Sequence, residues 1–216
     1  MTESTTRVLL ADDHAVVRAG VKALLDAEPG FEVVAEASDG AEAVQAALSG
    51  DVDLAILDVS MPLLTGIQAA RQLAEHRPQL RTLILSMHDN EQFFFEALRA
   101  GASGYVLKTA AHEDLIDACR AALLGEAFMY PDGVAALVRE FLERGPDELQ
   151  PDPLSPRETE VVKLIAEGLT GRAIGELLHI SEKTVERHRS NVFEKLGLND
   201  RVALTRYAIR RGLVEP

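Results

Sequence analysis

The stretch VLLADD, residues 8–13, decides the fold of the first half of the chain. In it a short, uninterrupted apolar run is followed directly by two carboxylates. Such a run is typical of a strand that is buried on both faces, as in the parallel sheets of α/β proteins. Because ligands bind beyond the carboxyl ends of parallel strands, Asp12 and Asp13 are predicted to lie at a functional site.

The same pattern recurs along the first 126 residues. Further short apolar runs lie at residues 32–35, 54–57, 83–85 and 105–107. Between the runs, apolar residues recur at helical spacing at about residues 14–28, 40–49, 65–76, 90–100 and 112–124. Five strand and helix units in alternation predict an α/β fold, with a doubly wound, five-stranded parallel sheet of the flavodoxin-like kind.

The second half has a different organisation. A helical stretch at about residues 132–144 precedes residues 145–153, which hold three prolines, one glycine and three acids. That composition predicts an exposed linker. Beyond it, capping residues and apolar spacing predict four short helices, at about residues 156–167, 171–178, 182–196 and 201–211. We therefore expect three parts: residues 1–126, a linker with one helix at 127–153, and an all-α domain at 154–216.

The charge of the chain is divided unevenly. The formal net charge is −13. Residues 1–126 carry 20 acidic and 9 basic side chains, a net of −11, and residues 127–153 carry 6 and 2, a net of −4. Residues 154–216 carry 9 acidic and 11 basic side chains, a net of +2. Because phosphate binding needs positive potential, only the last segment is suited to approach DNA.

The sequence also predicts the compartment. No apolar run approaches the roughly 20 residues of a membrane span, and no signal peptide is visible, so no membrane association is expected. The single cysteine, Cys119, excludes an internal disulfide and fits a reducing cytoplasm. It lies on an apolar helical stripe, which indicates a small buried side chain rather than a reactive thiol.

An acidic pocket is predicted at one edge of the sheet. Asp58 follows the third strand, as Asp12 and Asp13 follow the first, while Ser86 ends the fourth and Lys108 the fifth. Three convergent carboxylates need a counter-charge, and Mg²⁺ fits because it takes carboxylate oxygens, keeps waters and accepts a phosphate oxygen. With the lysine and the hydroxyl added, this set of residues predicts a phosphoryl-transfer site.

Residues 7–126 resemble the receiver domain of response regulators. The motifs that carry the resemblance are Asp12-Asp13, DVSMP at residues 58–62, Ser86, and GYVLK at residues 104–108. The resemblance implies that Asp58 is the phosphoacceptor and that Asp13, Asp58 and the Ser60 backbone carbonyl ligate Mg²⁺. Asp12 would support them.

The resemblance also implies a switch. Ser86 would close on the phosphoryl group, and Tyr105 would rotate inward behind it. Lys108 would complete the catalytic set. One departure is Thr109, where many receivers have proline, which leaves open whether the Lys108–Thr109 peptide is cis.

Two weaker features leave alternatives open. Residues 93–95 are three phenylalanines on the fourth helix, and they span about 200° of its surface. At least one ring is therefore expected to be exposed, as a partner or dimer contact, unless all three fill the core. The four histidines of this half show no metal-ligand spacing and are expected on the solvated surface: His14, His76, His88 and His112.

Residues 154–213 resemble the LuxR-type helix-turn-helix. The matching stretches are LSPRE at 154–158, IAEGLT at 165–170, ISEKTV at 180–185, HRSN at 188–191 and KLGL at 195–198. With the receiver, they indicate the NarL/FixJ class of two-component response regulators. The resemblance implies dimers on paired DNA half-sites.

Helical geometry assigns the faces of residues 182–196. At about 100° per residue, Val192 and Leu196 fall beside Val185 and should pack inward. The residues expected to meet double-stranded DNA are Lys183, Thr184, Glu186, Arg187, Ser190, Asn191 and Lys195. Arg187 is suited to reading guanine, while Thr184 and Lys195 suit phosphate contacts. Glu186 departs from the lysine of many relatives, so a Glu186→Lys change is expected to raise non-specific affinity.

The function predicted from these residues is that of a response regulator and transcription factor. A sensor histidine kinase would phosphorylate Asp58, and phosphorylation would control homodimer formation and DNA binding without turnover of a separate substrate. The alternative is a DNA-binding regulator controlled independently of phosphorylation. A phosphatase of the haloacid dehalogenase kind is disfavoured, because Ser60 stands where that class has a second acid.

Overall fold

The computed structural model describes residues 5–87, 91–129, 133–135, 153–178, 180–211 and 213–214. The chain divides into two compact units, Met1–Gly145 and Pro146–Pro216. Of the predicted helix at about 132–144, residues 133–135 are described and helical, and the rest lies outside the described residues. The same holds for the predicted linker at 145–153, apart from Pro153.

The first unit is a parallel sheet covered by helices on both faces, as predicted. Its strands are β1 (Thr6–Ala11), β2 (Phe31–Ala37), β3 (Leu54–Asp58), β4 (Arg81–Ser86), β5 (Gly104–Leu107) and β6 (Phe128–Met129). Its helices are α1 (Ala15–Asp26), α2 (Gly40–Ser49), α3 (Gly66–His76), α4 (Glu91–Arg99) and α5 (Ala111–Leu124). The strand order is β2-β1-β3-β4-β5-β6. One face of the sheet packs on α2, α3 and α4, and the other packs on α1 and α5.

The sheet has six strands, so the expected count of five is corrected. The extra strand β6 pairs in parallel with β5, with Gly104 beside Phe128 and Tyr105 beside Met129. The Phe128 N–H donates to the Ser103 carbonyl at 3.2 Å. A two-residue strand is too short to show periodicity, so the sequence pattern predicts only linker at this segment.

The three phenylalanines of α4 all pack inward. Phe93 is 4% exposed, Phe94 is fully buried and Phe95 is half-buried. The Phe94 ring meets Phe95 and Tyr105 edge-on, with centroids 5.5 Å and 5.9 Å apart. The expected exposed ring is therefore wrong, because α4 packs on both α3 and the sheet and so buries a wide face. A partner contact through the half-buried Phe95 stays a prediction.

The second unit is helical and has its own core. Its helices are α6 (Pro156–Ala166), α7 (Gly171–Leu177), α8 (Glu182–Leu196) and α9 (Arg201–Arg210). Each begins at a side-chain cap, provided in order by Ser155, Thr170, Ser181 and Asp200. The left-handed conformation of Gly197, with φ of 62°, ends α8. These starts and stops confirm the helices expected from the sequence.

Within the described residues, no helix combines the length and the hydropathy that crossing a bilayer would require.

Candidate functional site

Strand order brings the acidic residues and the lysine to one edge of the sheet. β1 and β3 are neighbours, and their register sets Ala11 beside Leu57, so Asp12 and Asp58 emerge side by side. The Lys108 ammonium lies 2.8 Å from Asp12 Oδ2 and 2.8 Å from Asp58 Oδ1. The predicted convergence of these three side chains is confirmed.

This cluster is removed from water. Asp12 is fully buried, Asp58 is 3% exposed, and the Lys108 side chain is 8% exposed. Burial raises the pKa of the Asp58 carboxyl from 3.8 to about 6; Lys108 opposes the rise, and Asp12 and Asp13 add to it. Burial alone would lower the pKa of Lys108, but Asp58 and Asp12 raise it above its ordinary value. The pocket therefore holds more negative charge than one lysine neutralises.

The loop between β1 and α1 completes the pocket. Asp13 is more exposed than Asp12, with 29% of its side chain accessible. The His14 Nδ1 atom lies 2.7 Å from Asp13 Oδ1. His14 is 57% exposed, as expected for a surface histidine, yet it contacts the acidic pair, which the spacing argument missed. Its place directly after Asp13 was the available signal.

The loop after β3 turns sharply beside Asp58. Leu63 has φ of 61°, and the Leu64 N–H donates to the Pro62 carbonyl at 2.6 Å, a bond that closes a three-residue γ-turn. A Cβ at Gly66 would overlap the Asp58 backbone carbonyl oxygen, so only glycine allows α3 to begin this close to β3. The predicted carbonyl ligand, Ser60, is half-buried in this loop.

The predicted switch residues lie on the two neighbouring strands. Ser86 is fully buried at the end of β4, and its carbonyl accepts from the Lys108 N–H at 2.7 Å. The Tyr105 ring is fully buried and lies against Phe94. Thr109 is exposed, and no cis peptide bond occurs among the described residues.

The pocket fits a hard divalent cation. Ligand atoms of Asp12, Asp13, His14 and Asp58 all lie within 4.8 Å of one another. The carboxylate oxygens are the donors that Mg²⁺ prefers, and the excess negative charge is the condition that such a cation relieves. Apart from the Lys108 ammonium, Asp12 Oδ2 has no hydrogen-bond partner among the described residues, although it is buried.

Helix α8 presents a polar face as predicted. Val185 and Val192 are buried against α6 and α7, and Leu196 packs at the edge of the same core. The predicted DNA-facing residues that are exposed are Lys183, Glu186, Arg187, Ser190, Asn191 and Lys195. Thr184 is half-buried, and its hydroxyl lies 2.8 Å from the Ser181 hydroxyl.

Two contacts of α8 were not anticipated. The Lys195 ammonium donates to Glu158 Oε2 at 2.6 Å, which ties the end of α8 to the first turn of α6. Arg189 lies 3.5 Å from Glu186 and stacks on Phe193, with 5.7 Å between its guanidinium and the ring centroid. Helical angles alone could not reveal the first contact, because Glu158 lies 37 residues earlier in the chain.

Comparison with known proteins assigns the family. The model of the response regulator receiver domain matches residues 8–120, and that of the luxR family of bacterial regulatory proteins matches residues 152–208. The chain is a response regulator. Because it carries both domains, it is a transcription regulator whose DNA binding is controlled by receiver phosphorylation, and it is not a substrate-turnover enzyme.

Curated relatives match this response regulator over nearly its full length. The transcriptional regulatory protein DegU of Brevibacillus brevis is 35% identical over 100% of this chain and 98% of its own length. The oxygen regulatory protein NreC of Staphylococcus carnosus is 39% identical, over 97% of this chain and 99% of its own.

Solved structures of related regulators also match this chain over nearly its full length. The response regulator ChrA of a heme-sensing two-component system is 36% identical over 98% of this chain and 100% of its own, with a TM-score of 0.52. RcsB of Salmonella typhimurium is 30% identical over 94% of this chain and 96% of its own, with a TM-score of 0.66. RcsB bound to a promoter in the presence of phosphomimetic BeF3− is 28% identical over 94% of this chain and 98% of its own, with a TM-score of 0.64.

Proposed function

We propose that a sensor histidine kinase phosphorylates this regulator on Asp58. The observation that carries the proposal is the position of the Lys108 ammonium, 2.8 Å from both Asp58 and Asp12 in a buried pocket. An Asp58 oxygen attacks the phosphorus of a phosphohistidine, the P–N bond breaks, and the departing imidazole takes up a proton. Lys108 holds the charge of the new acyl phosphate, and water has little access to compete.

Mg²⁺ is the proposed cofactor of this step. Asp13, Asp58 and the Ser60 carbonyl would hold it, with Asp12 in support. When bound, the cation neutralises the phosphoryl oxygens. The donor chemistry of the carboxylate cluster supports this assignment.

Ser86 and Tyr105 are the proposed switch residues. Ser86 ends the strand beside β3 and would donate its hydroxyl to the phosphoryl group. Tyr105 lies on β5, the strand next to β4, and its ring is buried. This burial supports the proposed inward position of the ring.

The test is phosphorylation by acetyl phosphate with Mg²⁺, followed by intact-mass measurement. The wild-type chain should gain one phosphoryl group, and Asp58→Asn should gain none. Asp53→Asn is the matched control, because Asp53 is an exposed carboxylate just before β3, at the opposite edge of the sheet. Unchanged phosphorylation of Asp58→Asn would overturn the assignment.

The exposed face of α8 is the proposed DNA-reading surface. The proposed phosphate contacts come from Lys183, Thr184 and Lys195. The residues proposed to lie in the major groove, at or beside the base edges, are Glu186, Arg187, Ser190 and Asn191. Among the described residues, neither Lys183 nor Arg187 has an ion-pair partner, so both cations are available to DNA. Lys195 has one of its three ammonium hydrogens on Glu158, which leaves two for a phosphate.

Substitutions on α8 separate these roles. Arg187→Ala should cost about 1–3 kcal/mol of specific binding and relax one base position, while Lys183→Ala should weaken all sequences alike and reduce the salt slope by about 1. Glu186→Lys should raise non-specific affinity and loosen sequence preference. Gel shifts across a salt series measure all three, and identical effects of Arg187→Ala on specific and random DNA would contradict its base contact.

Phosphorylation is proposed to favour a homodimer on paired half-sites, in the cytoplasm. One domain with a net charge of only +2 has little attraction for DNA, and linking two domains raises the affinity through effective concentration. Light scattering with and without acetyl phosphate should show a dimer in the wild-type chain but a monomer in Asp58→Asn. Equal DNA binding by the two proteins in phosphodonor would instead favour a regulator that acts independently of phosphorylation.

A further inference from the structure

The loop between β1 and α1 holds its two aspartates in different ways. Asp12 is fixed by its own backbone: its N–H donates to Ala37 at 3.2 Å, and its carbonyl accepts from Arg18 at 2.5 Å. Its carboxylate accepts from the His14 backbone N–H at 2.8 Å and pairs with Lys108. The His14 imidazole adds only a longer contact, with Nδ1 3.6 Å from Asp12 Oδ1, which is beyond hydrogen-bond distance. Asp12 therefore depends on that ring far less than on its other partners.

Asp13 is held by the imidazole. Its side chain is 29% exposed, and among the described residues its one side-chain partner is His14 Nδ1, at 2.7 Å. A carboxylate only accepts hydrogen bonds at neutral pH, so Nδ1 must carry the hydrogen of this contact. Without His14, the Asp13 carboxylate would turn freely among its rotamers.

We propose that His14 is a positioning residue that orients Asp13 for the divalent cation, an inference that rests on the metal site of the proposed function. A ligating carboxylate is normally held by a second hydrogen-bonding group, and loss of such a group typically lowers metal affinity about 10- to 100-fold. Nδ1 is occupied by Asp13, and Mg²⁺ prefers oxygen ligands, so His14 acts through Asp13 rather than on the cation itself.

Two substitutions of His14 separate hydrogen bonding from shape. His14→Asn keeps an N–H donor at the position of Nδ1, while His14→Leu keeps similar bulk without a donor. His76→Leu is the control, because His76 ends α3 and its Nδ1 lies against the Gln72 carbonyl of its own helix. Its replacement should therefore leave Mg²⁺ binding in the acidic pocket unchanged.

The measurement is isothermal titration of MgCl₂ into the full-length, unphosphorylated chain, with thermal unfolding in EDTA alongside. His14→Leu should bind Mg²⁺ about tenfold more weakly, His14→Asn and His76→Leu should bind like wild type, and all four proteins should unfold at similar temperatures in EDTA. A merely structural role would lower the unfolding temperature in EDTA and leave the affinity of the folded chain unchanged.

Three results would overturn the proposal. Equal Mg²⁺ affinity of His14→Leu and the wild-type chain removes the positioning role. Equal weakening by His14→Asn and His14→Leu means that the imidazole itself, not its N–H, is required. Absence of Mg²⁺ binding by the wild-type chain instead rejects the metal site of the proposed function, and the inference with it.

Discussion

Replacing Asp58 by asparagine should stabilise the receiver unit in the absence of a divalent cation. The folded chain buries this carboxylate and raises its pKa from 3.8 to about 6, a value that already includes the attraction of Lys108. At neutral pH, ionised Asp58 therefore costs the folded state about 3 kcal/mol relative to the unfolded chain. Asparagine has the same shape and no charge, so it removes this cost.

The sign of the effect fixes its pH dependence. A raised folded-state pKa means that stability is fully present below the unfolded value and is lost as the pH rises through the folded value. The advantage of Asp58→Asn should therefore be absent well below pH 3.8 and complete above about pH 6. Between about pH 5 and about pH 7.5 it should grow by about 1.4 kcal/mol.

Native-state hydrogen exchange of peptides from β1 and β3, in EDTA, measures the unfolding free energy of this unit separately from that of the helical unit. Asp117→Asn is the control, because Asp117 is an exposed carboxylate on α5 with 74% of its side chain accessible. A burial cost at Asp58 is refuted if Asp58→Asn gives no gain in stability, or if the gain is the same at about pH 5 and about pH 7.5. Added Mg²⁺ should narrow the gap, because the cation stabilises only the chain that binds it.

Three further outcomes follow from the packing. Gly66→Ala should slow phosphorylation by acetyl phosphate and destabilise the receiver, because the new methyl group displaces the Asp58 carbonyl; normal phosphorylation kinetics would contradict that clash. Burial raises the pKa of the Cys119 thiol to about 12, so a thiol reagent at neutral pH should modify it in urea but not in the native chain. Lys195→Met should destabilise the helical unit by about 1–3 kcal/mol in thermal unfolding, because it leaves the buried Glu158 carboxylate without its cation; an unchanged melting curve would show that the contact contributes nothing.

The sequence by itself determined the local features of this protein. Apolar runs followed by acids located β1 and β3, because strands buried on both faces must be continuously apolar. Ser155 and Ser181 mark helix starts in the sequence, since a hydroxyl that bonds a free backbone N–H acts within a few residues of itself. The same locality allowed the polar face of α8 to be assigned from helical angles alone.

Only the tertiary structure decided how distant groups meet. Strand order and register bring Lys108 to 2.8 Å from Asp58, although 50 residues separate them in the chain. The raised pKa of Asp58 depends on burial by many segments at once, which no local pattern encodes. The sixth strand and the Lys195–Glu158 contact are of the same kind, because each depends on a partner supplied by another part of the fold.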